Sequence, residues 1–106
     1  MHREEVELMR NAHGVVRTAP ITNTEVRQAV SSSERRVALV FTGPAAGSIT
    51  ISTEPAFSAG QGLMLTPGMS LQITLDRHGD AVKKPWYALT SAGDMTLGYL
   101  EVTLDA

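Results

Sequence analysis

Alternation of apolar and polar residues is the feature that most constrains the fold of this chain. In "SITIST" (residues 48–53), Ile49 and Ile51 alternate with polar residues, and "SLQITL" (residues 70–75) repeats the pattern. Successive side chains of a β-strand point to opposite faces of a sheet, so this period predicts strands with one buried face. Turns rich in Gly, Pro, Ser and Asp separate roughly six to eight such segments, which is typical of a β-sandwich or small barrel.

These segments predict one all-β domain, a β-sandwich or jelly-roll-like barrel, over residues 21–106. The most apolar run, residues 35–43, carries apolar side chains on both strand faces, which indicates that both faces are covered. We expect the core to contain Val37, Leu39, Phe41, Ile49, Ile51, Leu71, Ile73, Leu75, Leu100 and Val102.

Residues 1–20 are predicted to form a short N-terminal arm outside this domain. Val6, Met9 and His13 lie at helical spacing, which favours a short helix over residues 1–13 that ends at Gly14. Pro20 favours an extended backbone before it. The segment is either a solvated tail or an arm that becomes ordered on a partner. We hypothesise a clasp in which Leu8, Met9, Val15 and Val16 are apolar anchors and Arg3, Arg10 and Arg17 pair with acidic groups of a neighbour.

Composition excludes several classes of function. The chain has 9 basic and 11 acidic residues and a formal net charge of -2, which is too balanced for a protein that binds nucleic acid or membrane surfaces by bulk attraction. It has no cysteine, so thiol catalysis, disulfides and cysteine metal sites are ruled out. No apolar run approaches the roughly 20 residues that span a bilayer, and the N-terminus does not resemble a secretory signal.

The sequence contains no recognisable catalytic constellation. The three histidines form no His-x-His pair, and no Gly-x-Ser-x-Gly elbow or phosphate-binding loop occurs. A carboxylate pair of the glycosidase kind remains conceivable from Asp76, Asp80 and Asp94, but all three lie in predicted turns. We therefore predict a protein that is not an enzyme, with no catalytic residue, cofactor or metal site.

The segments "RVALVFTG", "SITIST", "GLMLTPGMSLQITL", "PWYALTS" and "LGYLEV" follow one another between residues 36 and 102. Their order resembles small β-sandwich modules of tailed-bacteriophage virions, found in capsid cement or decoration proteins and in related head and tail accessory proteins. The shared features are an apolar strand, a Gly-x-x-Leu-x-Pro-Gly-x-Ser turn, a strand with Trp followed by Tyr or Ala, and a closing strand like "LEV".

The resemblance implies a capsid decoration protein that binds the outside of the major capsid shell and stabilises junctions between capsid subunits. It also implies a homo-oligomer, with a trimer favoured over a dimer, that is made in the host cytoplasm and located on the virion surface. The alternative is a small carbohydrate- or ligand-binding module in which Trp86, Tyr87 and Tyr99 form a stacking platform. Trp86 and Tyr87 are candidate partner-binding residues in either case.

Overall fold

The computed structural model describes residues 12–58 and 61–104. These residues form eight strands: β1 (Ala12–Ile21), β2 (Arg27–Val30), β3 (Arg36–Thr42), β4 (Ile49–Ser52), β5 (Leu63–Leu65), β6 (Ser70–Thr74), β7 (Trp86–Thr90) and β8 (Met95–Leu104). One helical turn, α1 (Leu75–His78), and a 3-10 helix (Gly79–Lys83) connect β6 to β7.

The strands form two four-stranded sheets, and all paired neighbours are antiparallel. Sheet A has the strand order β1-β8-β3-β6, and sheet B has the order β2-β7-β4-β5. The chain passes from one sheet to the other at every connection except that between β4 and β5. Eight strands divided in this way between two packed sheets make a jelly roll, which confirms the predicted all-β sandwich.

The core lies between the sheets and is built mainly of aliphatic side chains around three rings. The ring of Phe41 lies 5.5 Å from that of Trp86 and 6.1 Å from that of Tyr99, measured between centroids. Such tilted pairs add to the free energy gained by burying the rings. Five of the predicted core residues are fully or almost fully buried: Leu39, Phe41, Ile49, Ile51 and Ile73. Two others, Leu71 and Leu75, are partly buried against the same cluster.

The prediction for β8 chose the wrong face. Leu97 and Tyr99 point into the core, whereas Leu100 and Val102 are half-buried on the opposite side of the strand. Both faces of β8 are apolar, so alternation alone could not decide between them. Val37 is also only half-buried, because the pairing of β3 with β8 is irregular between Arg36 and Ala38.

The predicted arm is part of the sandwich from Ala12 onward. Residues 12–21 form β1, which pairs with β8 along its whole length, so no helix extends to His13 and no linker precedes Ile21. Pro20 is compatible with this strand because β1 lies at the edge of sheet A, where a missing N–H group is tolerated. Residues 1–11, which include the rest of the predicted arm, lie outside the described residues.

One end of the sandwich is closed by a buried arginine. The side chain of Arg36 has no solvent exposure and donates hydrogen bonds to the carbonyl oxygens of Ser31, Val82 and Lys84, each at 2.6 Å. Its Nη1 also donates to Oε2 of Glu101 at 2.9 Å. Arg36 thus joins the β2–β3 loop and the 3-10 helix to β8, and its buried charge is paired, as such a charge must be.

Candidate protein-binding surface

Among the described residues of sheet A, none on the surface that faces away from the core is charged. The position of this surface follows from the register: Val16 pairs with Leu100, Leu100 pairs with Val40, and Val40 pairs with Gln72. We call this surface the outer face; it comprises Gly14, Val16, Thr18, Pro20, Ala38, Val40, Thr42, Ser70, Gln72, Thr74, Thr96, Gly98, Leu100, Val102 and Leu104.

Apolar side chains occupy the centre of the outer face, and threonine, serine and glutamine lie around them. Val16 is 78% exposed, whereas its cross-strand neighbour Leu100 and, one strand further, Val40 are half-buried. An antiparallel sheet that faces water on one side normally alternates apolar inward residues with polar outward ones. A contiguous apolar surface with a polar rim is instead typical of a site that binds another protein.

The size of the outer face limits what it can do alone. With strands about 4.8 Å apart and a rise of about 3.4 Å per residue, the four strands cover about 500 Å². A stable protein–protein interface buries about 800 Å² on each partner. The outer face therefore supplies more than half of such an interface, and the remainder must come from neighbouring surfaces or from several copies.

The edge of sheet A extends this surface. β1 is an edge strand that pairs only with β8 among the described strands, so one side of its backbone has no strand partner there. Val15 is 43% exposed and points to the side of β1 opposite to Val16. Edge strands with exposed apolar residues are surfaces on which another chain can pair.

The structure separates the residues that the sequence proposed for partner binding. Val16 lies on the outer face, while Val15 and Arg17 lie on the other side of β1. The Arg17 side chain is 53% exposed, and its Nε donates to Oε1 of Glu101 at 3.1 Å. The remaining proposed anchors and cations lie outside the described residues: Arg3, Leu8, Met9 and Arg10.

The proposed aromatic platform is not formed. Trp86 is only 4% exposed, and its indole Nε1 donates to the carbonyl oxygen of Ala81 at 3.1 Å. Tyr99 is also buried, whereas Tyr87 is half-buried on the outward side of sheet B. Trp86 and Tyr99 face inward because they fill the space around Phe41, so neither ring can stack on a ligand at the surface.

The residues considered for catalysis do not meet in a site. Asp76, Asp80 and Asp94 are all exposed, and the neighbouring Thr74 side chain lowers the pKa of Asp76, the opposite of what a general acid needs. His78 accepts a hydrogen bond at Nδ1 from the Thr74 backbone N–H at 3.0 Å. Within residues 12–58 and 61–104, no three His, Asp or Glu side chains are placed to hold a metal ion, and no helix could cross a membrane.

The sequence predicted only part of the outer face. Residues 35–43 were recognised as apolar on both faces, which pointed to a second covered surface at Ala38 and Val40. The contribution of β8 was missed, although residues 95–104 are apolar on both faces as well. The contribution of β1 could not be seen, since it depends on the pairing of two segments some 80 residues apart.

Comparison with known proteins supports the fold. No protein-family model matches the chain, and no curated protein matches it significantly. Among solved structures, it is similar to a chain from the structure of the Bacillus endospore appendages, described as a novel family of disulfide-linked pili. The match covers 90% of this chain and 88% of the other, with 12% sequence identity and a TM-score of 0.52. At this identity, the likeness extends to the fold alone.

Proposed function

We propose that this protein is a capsid decoration protein of a tailed bacteriophage, which binds the outside of the major capsid shell and stabilises junctions between capsid subunits. The observation that carries the proposal is the uncharged, apolar outer face of sheet A. A protein that reinforces a shell needs a rigid body and a binding surface rather than reactive groups. The sequence resemblance to such virion modules supports the capsid shell as the partner.

The size of the outer face supports binding as an oligomer. One face of about 500 Å² is too small for a tight complex by itself. In a trimer, three copies would bind the shell at the same time. After the first copy binds, the contacts of the second and third would form at a high effective concentration. The protein would accordingly be made in the host cytoplasm and be found on the capsid surface.

The test is sedimentation and electron microscopy of empty capsids mixed with the purified protein. Val16→Lys places a charge on the most exposed large apolar residue of the outer face, and Gln28→Lys places the same charge on an exposed residue of β2 in sheet B. We expect Val16→Lys to weaken capsid binding about tenfold or more, since a charge there must be desolvated. Equal binding by both variants would exclude the outer face, and no binding by the unmodified protein would overturn the proposal.

A second candidate function is that of a subunit of a surface fibre. The likeness in fold to an endospore appendage, which is described as a pilus, favours it. So do the exposed apolar residues at two edges: Val15 and Val16 on β1 of sheet A, and Leu63 and Met64 on β5 of sheet B. Different surfaces on opposite sides of a subunit permit head-to-tail assembly into open fibres. This chain contains no cysteine, so disulfides could not link its copies.

Electron microscopy of the concentrated protein without capsids distinguishes the two candidates. Filaments that form from the protein alone would favour the fibre subunit. A decoration protein would instead remain a small oligomer until capsids are added, and light scattering would give its copy number. The sequence also suggested a carbohydrate-binding module. Two of its three platform residues, Trp86 and Tyr99, are buried and are not available to a ligand.

A further inference from the structure

A polar recess opens beside β1 at the end of the sandwich that Arg36 closes. We call it the Ser31 recess. Its volume is about 360 Å³, and it is lined by Arg17, Ser31, Ser32, Ser33, Tyr99 and Glu101. The recess lies on the inner side of β1 and is therefore separate from the outer face.

The charges around the Ser31 recess do not cancel. Glu101 is 14% exposed, and its two carboxylate oxygens each accept a hydrogen bond from a different arginine, Oε1 from Arg17 and Oε2 from Arg36. Arg36 lies behind Glu101 and does not itself line the recess. Among the described residues in this ion-pair cluster, one carboxylate thus faces two guanidinium groups, which leaves one net positive charge. Because both oxygens of Glu101 are already engaged, the site is unsuited to a cation and attractive to an anion.

Arg17 is the group that a ligand would reach. Only its Nε is used by Glu101, and within the described part of the chain its two terminal nitrogens bond no protein atom. The guanidinium is held in place by this bond yet remains 53% exposed. Two free N–H donors at the end of a fixed guanidinium have the geometry that binds a carboxylate in bidentate fashion.

The serine loop completes the site on a rigid base. The carbonyl oxygen of Ser31 accepts a hydrogen bond from Arg36, and the Ser33 backbone N–H donates to the carbonyl oxygen of Lys83 at 3.0 Å. The hydroxyl groups of Ser31, Ser32 and Ser33 make no hydrogen bond to the described residues, so they can donate to a ligand. Hydroxyl donors around an exposed guanidinium suit a small, singly charged oxyanion.

We propose that the Ser31 recess binds the carboxylate of an aspartate or glutamate side chain presented by the protein on which this domain docks. The identity of that protein rests on the proposed function. The chemistry of the recess does not depend on it. Arg17 binds the carboxylate oxygens through its terminal nitrogens, and the serine hydroxyls donate to the same oxygens. The acidic side chain fixes the orientation of the domain, while the apolar outer face supplies most of the buried area.

The test uses a free model of the acidic side chain, so that it does not depend on capsids. N-acetyl-aspartate amide is titrated into the isotope-labelled protein and followed by NMR, with the neutral N-acetyl-asparagine amide as the control ligand. We expect the amide signals of residues 31–33 to shift with the aspartate compound and not with the asparagine compound. Equal shifts with both compounds, or none with either, would overturn the proposal.

Variants then locate the binding group. Arg17→Gln should weaken binding of the aspartate compound about tenfold, since it removes a charged donor, and Arg17→Lys should restore part of it. The matched control is Arg27→Gln, because Arg27 is a similarly exposed arginine whose Nη2 pairs with Glu25 at 2.8 Å. If Arg17→Gln and Arg27→Gln bind equally well, the recess is not the site. A protein that binds the aspartate compound but no capsid would disprove the proposed function and leave the recess proposal standing.

Discussion

The outward sides of the two sheets differ in how far the chain itself covers them. In sheet B, Thr50 and Leu89 point away from the core, yet they are only 2% and 8% exposed. In sheet A, Val16 is 78% exposed, and its neighbours across the sheet are only half-buried. Sheet B also exposes apolar residues, but only on its edge strand β5, at Leu63 and Met64. Our proposal places the partner on sheet A because its apolar row continues from Val16 across β8 and β3.

The sheets also differ in length, and this difference creates the polar end of the molecule. β1 and β8 have ten residues each, whereas no strand of sheet B is longer than five. Where sheet A extends beyond sheet B, its inner side carries the charged residues Arg17, Arg36 and Glu101. Hydrogen bonds and ion pairs thus stabilise this end of the sandwich, whereas apolar packing stabilises the region between the sheets.

The largest effect should come from removing the arginine that closes this end. Arg36→Ala leaves three carbonyl oxygens without their donor, that of the buried Val82 among them, and removes one of the two partners of Glu101. We expect a loss of about 3–5 kcal/mol in the free energy of unfolding, measured by urea denaturation. The neighbouring Arg35 is exposed, so Arg35→Ala should change stability by less than about 0.5 kcal/mol. Similar losses in both variants would mean that the closure is not specific to Arg36.

The two faces of sheet A can be compared with one substitution on each. Leu39→Ala removes a fully buried side chain on the inner face and should cost about 2–5 kcal/mol. Leu100→Ala removes the same atoms from the outer face and should cost less than about 1.5 kcal/mol in the free domain. Urea denaturation of both variants measures the difference. If Leu100→Ala proved as costly as Leu39→Ala, the outer face would already be covered in solution.

The smallest effect concerns Tyr99, the buried tyrosine of sheet A, at alkaline pH. Burial, and secondarily the charge of Glu101, raises the pKa of Tyr99 above its ordinary value of 10.0. A group whose pKa is higher in the folded state stabilises the protein fully below pH 10, and this stabilisation is lost as the pH rises through the folded pKa. Tyr99→Phe should therefore reduce the loss of stability above pH 10. Thermal unfolding of the unmodified protein and of Tyr99→Phe between pH 9 and pH 12 measures the difference, and an equal loss of stability in both proteins would contradict the prediction.

The sequence by itself determined the class of fold and much of the core. Alternation identified β4 and β6, and it placed Ile49, Ile51 and Ile73 correctly inward, because one face of each segment is clearly more apolar. The turns between segments then limited the architecture to a sandwich or barrel. The sequence also indicated a second apolar surface on β3, which is part of the outer face.

Only the tertiary structure decided which face of β8 is buried, that β1 belongs to the sheet, and where the polar site lies. Leu97 and Tyr99 rather than Leu100 face inward because Tyr99 fits against Phe41, a contact that local periodicity does not encode. Pairing with β8 holds residues 12–21 extended despite a helix-like pattern at their start. Arg36 follows Arg35 in the sequence, and its acceptors at Val82, Lys84 and Glu101 lie 46 to 65 residues away. A charge can be buried only where such distant partners converge, so its position depends on the completed fold.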